Sequence, residues 1–184
     1  MRWFGWMAFC LAICLGNAFA QDCKKTEYSG ETKTYLENAV QQFVACHAKN
    51  EGFGSCRSSA AQALEHIYGV KDLGSGDKYL DPTAIAKKVK ADWEHLGPVS
   101  DQEALKKAQA AAGCGRAVVA VLSAENGGHV AIILPGPLSH SAGWKLDTPN
   151  SASFFMHNPG KSFAGKPLAY SFGSPNGVEI YVKK

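Results

Sequence analysis

The sequence lacks the marks of several large protein classes. It contains no internal repeat, and beyond residue 20 it has no apolar run long enough to cross a bilayer. No Cys-x-x-Cys pair is present, and the glycine-rich stretches have neither the spacing nor the lysine of a phosphate-binding loop. These absences argue against a repeat protein, an integral membrane protein, a zinc site and a nucleotide site, so we expect no metal and no cofactor.

Strong net charge is also missing. The 184 residues include 19 basic and 16 acidic side chains, which gives a formal net charge of +3. Loss of the first twenty residues would remove one basic residue, Arg2, and no acidic one, which leaves 18 against 16 and a charge of +2. This excess is too small to predict a nucleic-acid partner, although it is compatible with approach to an anionic cell wall.

An export signal is the first feature that is present. Residues 1–20 combine a basic Arg2, a short apolar core and an Ala-Phe-Ala ending, which together predict a cleavable signal peptide. We therefore expect a secreted or periplasmic protein, detached from the membrane after cleavage, with one domain over residues 21–184. Four cysteines then remain, and an even number in an oxidising compartment is typical of disulfides. The spacing does not say which of them pair: Cys23, Cys46, Cys56 and Cys114.

The periodicity predicts helices first and strands afterwards. Helical spacing covers about 32–48, Cys56 to Gly69, and a segment that begins at Asp81-Pro82 and ends at Gly97-Pro98; a capping box at 100–103 begins a fourth helix ending at Gly113. Alternating segments predict strands over 116–122, 129–134, 144–147, 154–157, 168–172 and 178–182. This order indicates an α+β domain in which N-terminal helices pack on a C-terminal antiparallel β-sheet, with the Cys56 helix on one face.

Cys56 is placed where a cysteine can become reactive. It follows Ser55, a good N-cap residue, and precedes a stripe of small apolar residues at helical spacing. Unpaired backbone N–H groups and the positive end of the helix dipole favour the thiolate there and lower the pKa of the thiol. The sequence therefore predicts a candidate nucleophile at Cys56.

His129 is the matching candidate base. It opens an apolar segment directly after a predicted Asn126-Gly127 hairpin turn, so we expect it at the start of a central strand. A cysteine on a helix followed much later by a histidine on a strand is the chain order of papain-like cysteine hydrolases. In such enzymes the imidazole takes the thiol proton and later protonates the leaving amine.

Two blocks carrying these residues resemble the NlpC/P60 amidases, a papain-like family. They are SCRSSAAQALEHIYGV at 55–70 and GGHVAIILPGPL at 127–138, and they are most similar to the first family of amidase effectors of type VI secretion. The resemblance implies a cysteine amidase that cleaves peptidoglycan stem peptides, commonly between D-glutamate and meso-diaminopimelate, in a bacteriolytic or wall-remodelling role. It also implies a monomer, with a cognate inhibitor (immunity) protein as a further partner, and it carries over two residues, Cys56 and His129.

The group that would orient His129 is left open by the sequence. Asp147, at the end of the segment Trp-Lys-Leu-Asp, is the first choice, because a carboxylate could accept the imidazole N–H and fix its tautomer. Asp147 could equally begin a turn with Thr148 and Pro149. Asn150 is the alternative third residue.

Two other classes of function stay open. The same cysteine and histidine could serve a hydrolase or acyltransferase acting on proteins or lipids. Alternatively, the protein is a non-catalytic, disulfide-stapled binding module, with Cys56 in a disulfide and His129 as a structural strand residue.

Overall fold

Helices lie on both faces of a six-stranded antiparallel sheet in the computed structural model of the chain. The structure describes residues 23, 25–49, 56–75, 78–123 and 128–184. Three predicted features fall outside the described residues: the signal peptide at 1–20, the N-cap Ser55, and the turn at Asn126-Gly127. In the described part of the chain, no helix combines the length and apolarity that a bilayer crossing requires.

Among the described residues, four α-helices form close to where the sequence predicts them. They are α1 (Gly30–Ala48), α2 (Ser59–Tyr68), α3 (Pro82–Asp92) and α4 (Gln102–Gly113). Asp81 caps α3 as predicted, because its side chain accepts a hydrogen bond from the Ala84 N–H and Pro82 occupies the first position. The cap of α4 is Asp101, which accepts from the Glu103 N–H, rather than Ser100.

The predicted third helix is too long at its C-terminal end. Trp93 is extended (φ −93°, ψ 164°), and the following residues form a strand that pairs with the last strand of the chain. The apolar spacing from Ile85 to Leu96 therefore misled the prediction, because the buried Trp93 and the partly buried Leu96 pack on opposite sides of the sheet rather than on one face of a helix.

Eight strands form two sheets. The strands are β1 (Gly74–Ser75), β2 (Lys78–Tyr79), β3 (Glu94–Pro98), β4 (Val118–Leu122), β5 (His129–Ser141), β6 (Leu146–Ser153), β7 (Phe163–Pro167) and β8 (Val178–Val182). β1 and β2 make a small hairpin, and the other six make a sheet in the order β3-β8-β4-β5-β6-β7, with every neighbouring pair antiparallel. The predicted α+β class with an antiparallel sheet is confirmed.

The central strands agree with the prediction better than the outer ones. β4 and β8 lie within the predicted segments, and β5 begins at His129 as expected. The predicted strands at 154–157 and 168–172 are wrong, since the first is a loop and the second contains a 3-10 turn, Leu168–Tyr170. β7 was not predicted, because its sequence, Phe-Ala-Gly-Lys-Pro, alternates only weakly.

Alternation along the strands divides the interior into two cores. On β5, Val130 and Ile132 join a first core with residues of α1, α2 and α3. Ala131 and Ile133 point the other way and join a second core with the buried face of α4. The Cys56 helix packs on one face, as expected, but a further helix covers the other. Every candidate residue must therefore be assigned to a face of this sheet.

Candidate functional site

The structure places Cys56 in a disulfide. Its sulfur is bonded to that of Cys46, with 6.0 Å between the two Cα atoms, and the residue is only 3% exposed. Cys56 also lies three residues before α2 begins, where its carbonyl accepts a hydrogen bond from the Ser59 hydroxyl at 3.0 Å. The assignment of Cys56 as a nucleophile is therefore wrong for this state, because a disulfide sulfur carries no thiolate.

The short separation of Cys46 and Cys56 explains their pairing. Cys46 lies in the last turn of α1, and Cys56 lies ten residues later, just before α2. Both helices pack on the first core, where Phe43 lies beside this disulfide. The sequence contained part of this signal, since the two cysteines are only ten residues apart and lie beside helices predicted to pack on one sheet.

His129 lies on the other face of the sheet. Its side chain follows the alternation of Ala131 and Ile133, and its ring contacts Phe172 of the second core, with centroids 5.2 Å apart. Cys56 belongs to the first core. The structure therefore does not bring together the two residues on which the predicted catalytic pair depended.

The two residues nevertheless lie towards the same end of the sheet. Arg57, next to Cys56, forms an ion pair with Asp81 at 3.5 Å, and Asp81 caps α3. Gly128, next to His129, packs against the start of α3, since a Cβ built on it would lie 3.8 Å from the Pro82 carbonyl oxygen. The Cys56 sulfur and the His129 imidazole therefore lie on opposite faces of the sheet, near the same end of it.

The partner of His129 is Ser153, which the sequence analysis missed. His129 Nε2 and Ser153 Oγ lie 2.7 Å apart, and Ser153 is fully buried opposite Ala131. Burial lowers the pKa of His129 to about 4, so the imidazole is neutral near pH 7. A neutral imidazole could accept a proton, but no substrate can reach a hydroxyl with no exposed surface. The pair is therefore structural.

Asp147 and Asn150 lie far from His129 along β5. The register places Asp147 opposite His140, and its carboxylate Oδ1 lies 2.9 Å from His140 Nδ1. The Gln102 side chain donates to the Asp147 carbonyl at 2.9 Å and accepts from the Asp147 N–H at 2.8 Å. Asn150 donates to the Pro135 carbonyl at 3.4 Å. Both assignments as the orienting group are wrong, since neither side chain faces the His129 imidazole.

An open groove of about 650 Å³ lies beside His129 on the second face. We call it the aromatic groove. His129 stacks on Phe155, with centroids 4.7 Å apart, and so supports one wall. The side chains that give the groove its chemistry are Phe155, Phe163, Tyr170, Phe172, Lys161 and Lys166.

Tyr170 is the most conspicuous member of the aromatic groove. It is 65% exposed, and it is the exposed large hydrophobic residue of the described part of the chain. Its ring stands edge-on to Phe163, with centroids 6.4 Å apart, and Lys166 Nζ lies 5.5 Å and 5.8 Å from the centroids of these two rings. An ammonium group over aromatic rings makes a cation–π interaction, which proteins use both to pack side chains and to recognise ligands.

The described residues offer no candidate metal site, and no known family matches the chain. Within the described residues, no three histidine, cysteine or acidic side chains are grouped so that they could hold a metal ion. Compared with models of known families and with curated proteins, the chain matches none.

Proposed function

We propose that this protein acts at bacterial peptidoglycan, and that in its disulfide-bonded form it binds the polymer through the aromatic groove. The observation that carries the proposal is the exposed Tyr170 beside Phe163, with Lys166 over both rings, on the rim of an open groove of about 650 Å³. Peptidoglycan as the target rests on the resemblance of the two sequence blocks.

The aromatic side chains supply contact area for the sugar rings. Aromatic faces carry partial negative charge and pack against the C–H faces of a saccharide, while a rigid ring loses little conformational entropy on binding. Tyr170 presents such a ring at the open side of the groove, and the buried Phe163 ring packs edge-on against it. A glycan strand could therefore lie along this surface without any rearrangement of the sheet.

The lysines supply attraction for carboxylates. No carboxylate of the described residues forms an ion pair with Lys161 or Lys166. Both ammonium groups line the groove, so a bound anion would meet uncompensated positive charge. Peptidoglycan combines sugar rings with the free carboxylates of its stem peptides, which is the combination this groove fits.

Co-sedimentation with purified sacculi tests the proposal. We expect Tyr170→Ala and Lys166→Glu each to weaken binding by about fivefold, because an aromatic contact or one partly exposed charge contributes about 1 kcal/mol. Lys87→Glu, on the exposed side of α3, is the matched control for charge and should bind like the parent. Unchanged binding in both groove variants would exclude the groove as the site.

The cysteine amidase that the resemblance implies is a second proposal, for the thiol form of the protein. What favours it is that Arg57, Asp81 and Gly128 hold the start of α2 and the start of β5 near one end of the sheet. A dithiol would reduce the Cys46–Cys56 disulfide and become oxidised itself. His129 would then take the Cys56 thiol proton, the thiolate would attack the amide carbon, and the same proton would pass to the leaving amine. Water would hydrolyse the thioester to a carboxylic acid and restore the Cys56 thiol. This requires the start of β5 to turn His129 towards the first core.

Two single variants separate binding from cleavage. Cys46→Ala leaves Cys56 as a free thiol without any reductant, whereas Cys56→Ala leaves Cys46 free and removes the proposed nucleophile. An amidase predicts that Cys46→Ala releases stem-peptide fragments from sacculi and that Cys56→Ala does not, as read by mass spectrometry. If neither variant releases fragments while both still bind, the protein is a binding module and the amidase proposal is wrong.

A further inference from the structure

A second pocket lies beside α4 at the β3 edge of the sheet. Its volume is about 430 Å³, within the range of small-molecule sites. Lys107, Ala110, Ala111 and Cys114 recur at three- and four-residue spacing and form its floor on α4. The fully buried side chains of α4 do not line the pocket, which borders the second core through the partly buried Leu96 and Ala111. We call it the α4 pocket.

The walls of the α4 pocket are fixed by covalent and hydrogen bonds. Cys23 is joined to Cys114 in a disulfide with 5.4 Å between the Cα atoms. Thr26 donates from its N–H to the Gly113 carbonyl at 2.7 Å, which holds the N-terminal segment against the end of α4. Leu96 of β3 contributes the opposite wall. A pocket preformed in this way loses little entropy when a ligand enters.

Among the described residues that line the α4 pocket, the charged side chains are all basic. Lys106 is paired with Glu103 at 2.7 Å, and Arg116 with Glu94 at 3.3 Å and with the Lys183 carbonyl at 2.8 Å. Lys107 has no carboxylate partner among the described residues. The rim therefore keeps a positive charge that a ligand anion could neutralise.

We propose that the α4 pocket binds a free fatty acid. The methyl groups of Ala110 and Ala111, the Leu96 side chain and the disulfide offer an apolar surface to the alkyl chain. Lys107 binds the carboxylate, and Arg116, which is held in place by two other contacts, adds a guanidinium donor at the rim. A neutral lipid would leave the Lys107 charge unmatched, and a cationic one would be repelled by it.

Titration calorimetry with dodecanoate below its micelle concentration tests the proposal on the oxidised, full-length mature protein. We expect saturable one-to-one binding of dodecanoate and none of dodecyltrimethylammonium, which has a chain of the same length and the opposite charge. Lys107→Glu should weaken the binding by about fivefold or more through loss of the charge pair. Ala110→Phe should abolish it by filling the pocket, while Lys87→Glu should leave it unchanged.

Three outcomes would overturn the proposal. Equal binding of the two amphiphiles would show that the charge of the rim selects nothing. Unchanged dodecanoate binding in Ala110→Phe would place the ligand elsewhere. Self-association of the protein through this face, with no dodecanoate uptake, would identify the α4 pocket as a contact between copies of the chain. Sacculus binding at the aromatic groove is measured separately, so either proposal can fail alone.

Discussion

The two faces of the sheet differ in how they are covered and in what they leave open. Three helices and the Cys46–Cys56 disulfide cover the first face. A single helix, α4, covers part of the second, which leaves the aromatic groove open beside His129. Cys56 and His129 each have a local sequence suited to catalysis, yet they lie on different faces. Strand alternation decides whether two such residues can meet.

The largest expected effect concerns the disulfide near α4. Cys23 and Cys114 are 91 residues apart, and closing so long a loop restricts the unfolded chain strongly. The double variant Cys23→Ala, Cys114→Ala should lower the free energy of unfolding by about 4 to 5 kcal/mol. Urea denaturation of the variant and the parent measures this. A loss no greater than that from the other disulfide would show that the N-terminal segment is not held as described.

The disulfide on the first face should contribute less. Cys46 and Cys56 are ten residues apart, so the double variant Cys46→Ala, Cys56→Ala should lose about 3 kcal/mol. A count of free thiols in an unreduced, denatured protein that consists of residues 21–184 gives the simpler check, and the expected number is zero. Two reactive thiols at Cys46 and Cys56 would contradict the observed pairing and would strengthen the amidase proposal.

Acid should destabilise the second face through His129. Burial lowers its pKa to about 4 from an ordinary value of about 6.5, so the native state disfavours the protonated ring. The stability from the neutral ring is complete above pH 6.5 and is lost as the pH falls towards 4. Between pH 7 and 4.5 the parent should lose about 2 kcal/mol more than His129→Gln does, a figure reduced because the ring is partly exposed.

The exposed His140 provides the control for this pH experiment. It pairs with Asp147 at the far end of β5, and both side chains are more than half exposed. His140→Gln should therefore follow the parent across the same pH range. If His140→Gln removed the acid sensitivity and His129→Gln did not, the effect would belong to the exposed ion pair.

The smallest expected effects compare the helix caps of the two faces. Asp81 caps α3 on the first face, and Asp101 caps α4 on the second. Asp81→Ala and Asp101→Ala should each lower the free energy of unfolding by about 1 kcal/mol, because each exposes a helix N–H without a partner. Asp92→Ala, at the C-terminal end of α3, should cost less than either, which thermal unfolding can resolve.

Local signals in the sequence predicted the local structure well. The Asp81-Pro82 start of α3 and the strand beginning at His129 depend on residues close to one another in the chain, and both are confirmed. The end of α3 was missed because the chain leaves the helix at Trp93 to form β3, which pairs with β8. That pairing joins segments far apart in the sequence, so no local pattern contains it.

The candidate site could not be assembled from the sequence because of one irregularity between β5 and β6. Near the turn, Ser139 pairs with Thr148; further along, Leu134 pairs with Asn150. β5 thus advances five residues while β6 advances two, around Gly136, whose φ of +138° suits glycine. The Pro-Gly-Pro sequence marks an interruption but does not give its size, so Ser153 could not be recognised as the partner of His129.

The two hydrogen bonds between the Gln102 side chain and the Asp147 backbone have a consequence for the solubility of the protein. β7 pairs with β6 only from Asn150 onward, so on the side away from β5 Asp147 has no neighbouring strand among the described residues. The Gln102 amide satisfies both the N–H and the carbonyl of that residue, as a further strand would. At Asp147 an intruding chain therefore finds the main-chain donor and acceptor already bonded, which disfavours edge-to-edge pairing at this point of β6.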